Sequence, residues 1–158
     1  MKTISGVWAA LVLAILSSGF GARDCAAQMK DVGWPNYGND PGGARYSEAQ
    51  QINASNVGQL KVAWTFRTGA LDEKRDLNEK ATFETTPILV DGKLYLSTPW
   101  GQLFALDPAT GTKIWEFDPD LDLLRSYSEA TNRGVSAWHD SKAKRGAVCA
   151  LRIFIGTI

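Results

Sequence analysis

Between Ala81 and Phe117 the sequence reads ATFETTPILVDGKLYLSTPWGQLFALDPATGTKIWEF, and this stretch restricts the fold more than any other. Four short apolar runs, TPILV, KLYLST, QLFAL and TKIWEF, are separated by Asp91-Gly92, by Pro99-Trp100-Gly101 and by Asp107-Pro108-Ala109-Thr110-Gly111. Asp-Gly between β-rich runs suits a two-residue hairpin turn with positive φ, and Asp-Pro-x-x-Gly suits a turn pre-set by proline and closed by glycine. Four strands joined by tight turns make an antiparallel meander of about 35 residues, the size and connectivity of one β-propeller blade.

The rest of the 158-residue chain is consistent with a globular all-β protein. It carries 17 basic and 17 acidic side chains, 44% apolar residues and six Trp. Such a balance offers neither nucleic acid nor an anionic membrane surface a preferred site. The N-terminus reads as an export signal: Lys2 supplies a positive start, Val7 to Leu16 an apolar core, and Cys25-Ala26-Ala27 a small-residue site, so cleavage is expected after Ala27. An uncleaved anchor is the competing reading, but the apolar run is shorter than the roughly 20 residues a spanning helix needs. No membrane span is expected once the signal is removed. Cys149 is then the sole thiol, and it is either a small buried hydrophobe or a cysteine whose disulfide partner lies outside this chain.

From Gln28 to Gln50, Gly, Asn and Pro dominate, which predicts an irregular lead-in anchored by Trp34, Tyr37 and Tyr46. Asn53 is placed to cap a short helix over Val57 to Leu60. Lys61 to Thr68 alternates Val62, Trp64 and Phe66 with polar residues, the pattern of a half-buried strand. It matches Thr112 to Phe117, and Trp64 and Trp115 are 51 residues apart, a spacing that adjacent blades give. Two unrelated amphipathic strands would look the same. The charged Ala70 to Lys80 is read as a solvated excursion, and Asp118 to Asn132 as a polar crossing over the sheet. Arg133 to Trp138 begins another strand, and Ala150 to Ile158 has the near-continuous apolar character of a buried one. His139 reads as a surface residue. Asp118, Asp120 and Asp122 lack the Gly and closing Glu of a calcium loop, so no metal is assigned there.

Taken together these segments resemble the quinoprotein dehydrogenases that use pyrroloquinoline quinone (PQQ), in particular the periplasmic alcohol and glucose dehydrogenases. The residues that carry the resemblance are Trp34, Tyr37-Gly38-Asn39-Asp40, Gly42 to Ser47, Gln51-Ile52-Asn53, Ala63 to Gly69, Phe83 to Pro87, Val90-Asp91-Gly92, Ala105 to Gly111 with Trp115, and Arg133-Gly134-Val135. They cover essentially all of residues 28–158. The resemblance implies an eight-bladed β-propeller with PQQ in a central funnel beside a Ca²⁺ ion. It also implies oxidation of an alcohol or sugar, and an external electron acceptor, a cytochrome or a quinone. Two cofactor-binding positions carry over: Glu84 matches a glutamate that hydrogen-bonds PQQ, and Arg133 an arginine that pairs with its carboxylates. A planar guanidinium is a suitable bidentate partner for a carboxylate.

The pattern departs from the family in two places. Where many alcohol-oxidising members carry adjacent cysteines, this chain has Tyr127-Ser128-Glu129, which favours the subgroup without that cysteine ring, glucose-dehydrogenase-like members included. At about 45 residues per blade the mature chain provides at most about three blades, fewer than the roughly four that close a propeller. The expectation is therefore an N-terminal fragment with one complete blade at 81–117 and partial neighbours, lacking catalytic and calcium-binding residues and inactive by itself. The alternative is a non-enzymatic periplasmic propeller that serves as a scaffold; the Glu84 and Arg133 motifs and the Trp34 to Gly43 lead-in favour the enzyme family.

Overall fold

The apolar runs of 81–117 form the strands that their spacing predicts. The computed structural model describes residues 32–70, 81–122 and 127–157, and the expected export signal and the charged excursion after Ala70 lie outside them. Among the described residues the strands are β1 (Ala81–Thr86), β2 (Ile88–Val90), β3 (Lys93–Ser97), β4 (Leu103–Leu106), β5 (Lys113–Phe117), β6 (Ala130–Gly134), β7 (Ser136–His139) and β8 (Leu151–Phe154). β2 to β5 make a four-stranded antiparallel sheet in sequence order, which is the expected blade.

Each turn of the blade follows from its residues. Asp91 and Gly92 have φ of 47° and 67°, the left-handed pair that a hairpin of this type requires. At the β4–β5 turn, Asp107 Oδ1 accepts from the N–H groups of Ala109 and Thr110 and from the Thr110 hydroxyl. Gly111 closes the turn at φ 70°, donating to Asp107 O at 2.8 Å. The middle turn folds over its own Trp100, which is 2% exposed and donates Nε1 to Ala70 O at 2.8 Å. Trp100 packs with Ala70, Ala81 and Ala130, so it supports the starts of both β1 and β6.

Alternation along the blade strands gives two apolar faces. Ile88, Val90, Tyr95, Leu103 and Ala105 are buried on one, against Val135 and against Leu151, Ile153 and Ile155. A fully buried chain such as Ile88, 1% exposed, contributes about 1.5–3 kcal/mol relative to exposure. On the other face Phe66 meets Phe104 edge-on, with ring centroids 5.2 Å apart.

Several sequence expectations change. Residues 61–68 do not form a strand of a sheet, and Val62, 84% exposed, is outside the alternation that Trp64 and Phe66 keep. Trp64 Nε1 bonds Pro108 O at 3.0 Å, and its ring occupies the space beside Gly111, where a Cβ would lie 2.4 Å from the indole. The amphipathic pattern therefore arises from one-sided packing on a neighbouring turn, without ladder hydrogen bonds. The short helix is a 3₁₀ turn, Val57–Gln59, without a side-chain cap. Asn53 instead bonds the Ser55 N–H just ahead of it. Trp34 does anchor the lead-in, through paired backbone bonds with Leu89 of 2.9 and 2.8 Å, but Tyr37 and Tyr46 are exposed. Residues 133–138 split between β6 and β7, which belong to different sheets. β8 is half-buried rather than buried, because it pairs with β7 and only alternate side chains face the blade. Cys149 is exposed on a turn, so the buried-hydrophobe reading is withdrawn.

Candidate functional site

Glu84 lies on β1 and Arg133 on β6, and these strands pair in parallel, with Phe83 beside Asn132 and Thr86 beside Gly134. The blade was expected over 81–117; the four-stranded sheet instead starts at Ile88, and β1, which carries Glu84, belongs to a separate two-stranded sheet with β6. The register slips between Phe83 and Thr86, and the extra residue of this bulge sets Glu84 against Arg133. Arg133 Nε donates to Glu84 Oε2 at 3.0 Å across a sequence separation of 49. Their side chains are 76% and 36% exposed, so the pair contributes only about 0–1 kcal/mol to stability. The Nη groups of Arg133 have no acceptor among the described residues, which leaves the fork of the guanidinium available to an anion.

The residues flanking the pair are held more firmly than the pair itself. Gly134 has φ 134°, and a Cβ there would come within 2.9 Å of Thr86 O, so the close approach of β6 to β1 requires glycine after Arg133. Asn132, 8% exposed, accepts at Oδ1 from Gly134 N at 3.0 Å and from Ser97 Oγ at 2.6 Å, and donates from Nδ2 to Gly156 O at 2.7 Å. Ser97 Oγ is 2.8 Å from Thr85 Oγ1. Sequence reasoning passed over Asn132 and Thr85, each adjacent to a predicted site residue. Period-two alternation was the available signal: in a strand, the neighbour of an outward-facing residue faces inward.

Beside Arg133 opens a cleft of about 620 Å³ lined also by Tyr37, Thr131, Ser136 and Thr157. Tyr37 brings the lead-in to this cleft, and Arg45 holds it there: Nη2 donates to the phenol oxygen at 2.9 Å and the guanidinium lies 5.1 Å from the ring centroid. The wall thus has one arginine facing the cleft and another behind its tyrosine.

The other polar groups lie elsewhere. His139 Nε2 is 3.6 Å from Asp91 Oδ2 on the surface, an acid that only the fold brings near it. Asp118 accepts from Gln102 Nε2 and from Asp120 N. Among the described residues no group of three or more His, Cys, Asp or Glu side chains is placed to hold a metal ion.

Residues 34–158 match the family model described as glucose/ethanol/alcohol dehydrogenase, beta-propeller domain. The chain belongs to this PQQ dehydrogenase family. Among family members, it is 40% identical over 177 residues to a quinoprotein glucose dehydrogenase of Escherichia coli, covering 96% of this chain and 22% of that protein. With quinoprotein glucose dehydrogenase A of Acinetobacter calcoaceticus it shares 39% identity over 77% of this chain and 16% of the other. In solved structures, the family fold aligns with quinohemoprotein alcohol dehydrogenase ADHIIG of Pseudomonas putida at a TM-score of 0.54 and 35% identity, over 73% of this chain and 16% of that one. The Comamonas testosteroni quinohemoprotein alcohol dehydrogenase aligns at 0.51 and 34%, over 70% and 16%. The chain spans between 16% and 22% of the length of these relatives.

Proposed function

We propose that this chain forms one wall of a PQQ site in an exported, periplasmic quinoprotein dehydrogenase that acts on an alcohol or sugar, with Arg133 and Glu84 as cofactor-binding residues. The observation that carries this reading is the arrangement of Arg133: Nε is held by Glu84 while the Nη groups remain without an acceptor among the described residues, at the edge of the cleft. PQQ is a planar tricarboxylate, and the guanidinium fork matches one of its carboxylates. Glu84 offsets the charge of Arg133 and orients its plane; a carboxylate so close to an anionic ligand is tolerated because Arg133 neutralises it. Ser136 supplies a further hydroxyl to the cleft, whereas the Thr131 hydroxyl donates to Glu129 Oε1 at 2.9 Å. PQQ held there would supply two-electron redox chemistry between the substrate and a cytochrome or quinone acceptor.

The leader ending at Ala27 supports export, and membership of the family supports an eight-bladed parent fold. Calcium, which accompanies PQQ in the family, finds no ligand cluster among the described residues. We infer that this chain by itself binds PQQ weakly and does not turn substrate over.

The test is PQQ binding to the purified chain, followed by quenching of tryptophan fluorescence. Arg133→Ala is expected to weaken binding at least about tenfold, since it removes a charge-assisted bidentate contact, with little change in melting temperature. Equal affinity in the wild type and Arg133→Ala sinks the assignment. The same preparation, supplied with Ca²⁺ and a dye acceptor, is expected to show no alcohol or glucose oxidation.

A further inference from the structure

We propose that Asn132 is the positioning residue of this cleft: its carboxamide, linked through Ser97 to Thr85, sets Arg133 and Glu84 in register with each other. The proposal rests on the site reading above but concerns residues that reading does not use.

The geometry fixes the direction of every bond in the chain. Asn132 Nδ2 faces Gly156 O, an acceptor only, and Oδ1 faces Gly134 N–H, a donor only, so the amide has one possible orientation. Ser97 Oγ must therefore donate to Asn132 Oδ1. Its proton being used there, Ser97 Oγ receives the Thr85 hydroxyl proton, and Ser97 N–H in turn approaches Thr85 Oγ1 at 3.4 Å. Thr85 follows Glu84 and Asn132 precedes Arg133, so a single directed chain joins the inward neighbours of the two outward site residues. Ser97 is fully buried, on the central blade, which gives the chain a rigid base.

This arrangement matters because the ion pair cannot set its own geometry. An exposed salt bridge is weak and its long side chains are mobile. The parallel ladder between β1 and β6 is also irregular at this point, where the register shifts. Asn132 bonds both sides of the irregularity: the backbone of Gly134 on its own strand, and β3 and the segment after β8 through Ser97 and Gly156. A buried, fully satisfied polar network of this kind specifies one arrangement where an apolar contact would allow several.

Two readouts test it, one of them independent of PQQ. The first is the NMR signal of the Arg133 Nε–H group in the ligand-free chain, which hydrogen bonding to Glu84 protects from exchange with water. The second is PQQ affinity. Asn132→Ala is expected to abolish the protected Nε–H signal and to weaken PQQ binding roughly tenfold, the scale of losing a bond from a site-orienting network. Thr85→Val, which keeps the side-chain shape and leaves Asn132 in place, keeps the fold and is expected to weaken the same signal. Asn132→Asp retains the acceptor for Ser97 and Gly134 and is expected to recover part of the signal lost in Asn132→Ala. If all three variants melt lower but keep the wild-type Nε–H protection, the network is merely structural and the proposal fails. Should the wild-type chain bind no PQQ, the cofactor assignment fails while the Nε–H comparison still decides the role of Asn132.

Discussion

At the residue scale, Asp107 shows how one side chain fixes a turn and leaves a trace in pH dependence. Its carboxylate accepts first from the Thr110 N–H and hydroxyl and also from the Ala109 N–H, and these bonds hold its pKa below the ordinary 3.8. A carboxyl group with a depressed folded pKa adds stability above its unfolded pKa and loses it as pH falls through the folded value. The melting-temperature gap between wild type and Asp107→Asn is therefore expected to be present at neutral pH. It should shrink below 3.8 as the wild-type carboxyl protonates. Thermal melts of both proteins across that range measure it, and a gap independent of pH overturns the account. Such a turn was legible in the sequence because Asp, Thr and Gly at fixed offsets have few other uses. The role of Asn132 was not legible, since an Asn between Thr and Arg reads as an ordinary loop residue until its strand neighbours are known.

At the element scale, the blade was readable and its partners were not. β2 to β5 are joined by local turns, and each turn has its own chemistry, so the meander is written in contiguous sequence. The β1–β6 pair joins segments separated by the whole blade, and no local pattern announces it. Residues 61–68 show the opposite error, in which strand-like alternation marks an irregular segment packed on a turn. The segment's attachment gives a prediction. Gly111→Ala forces a side chain into a left-handed position and against the Trp64 ring, costing about 1–2 kcal/mol for the backbone and a further 1–3 for the overlap. In a Trp64→Ala background only the backbone part should remain. Denaturant titration of the two single variants and the double variant measures the difference, and full additivity of the two substitutions contradicts the docking of Trp64 on this turn.

At the scale of the whole molecule, the described residues leave apolar surface uncovered. Trp115, Phe117 and Phe154 are 38%, 47% and 54% exposed around a groove of about 630 Å³ between the blade and β8. Trp115 occupies the position in its strand that Trp64 occupies in the earlier segment, but Trp64 rests on the Gly111 turn whereas Trp115 lies tilted against Tyr95, ring centroids 5.9 Å apart. Apolar surface of this kind is expected to bind a hydrophobic dye in the native state. Fluorescence enhancement of such a dye, reduced when Phe117 and Phe154 are both replaced by Lys, checks it; no enhancement with the wild type contradicts it.

The parallel pairing of β1 with β6 also carries a consequence for the order of folding. The three hairpins of the blade close over a few residues each, whereas Glu84 and Arg133 meet only by closing a loop of 49 residues that contains the blade. Short loops close first, because long-range pairing bears its entropy before any contact offsets it. The local pairings of the sheet therefore precede the β1–β6 pairing that brings the two sides of the cleft together.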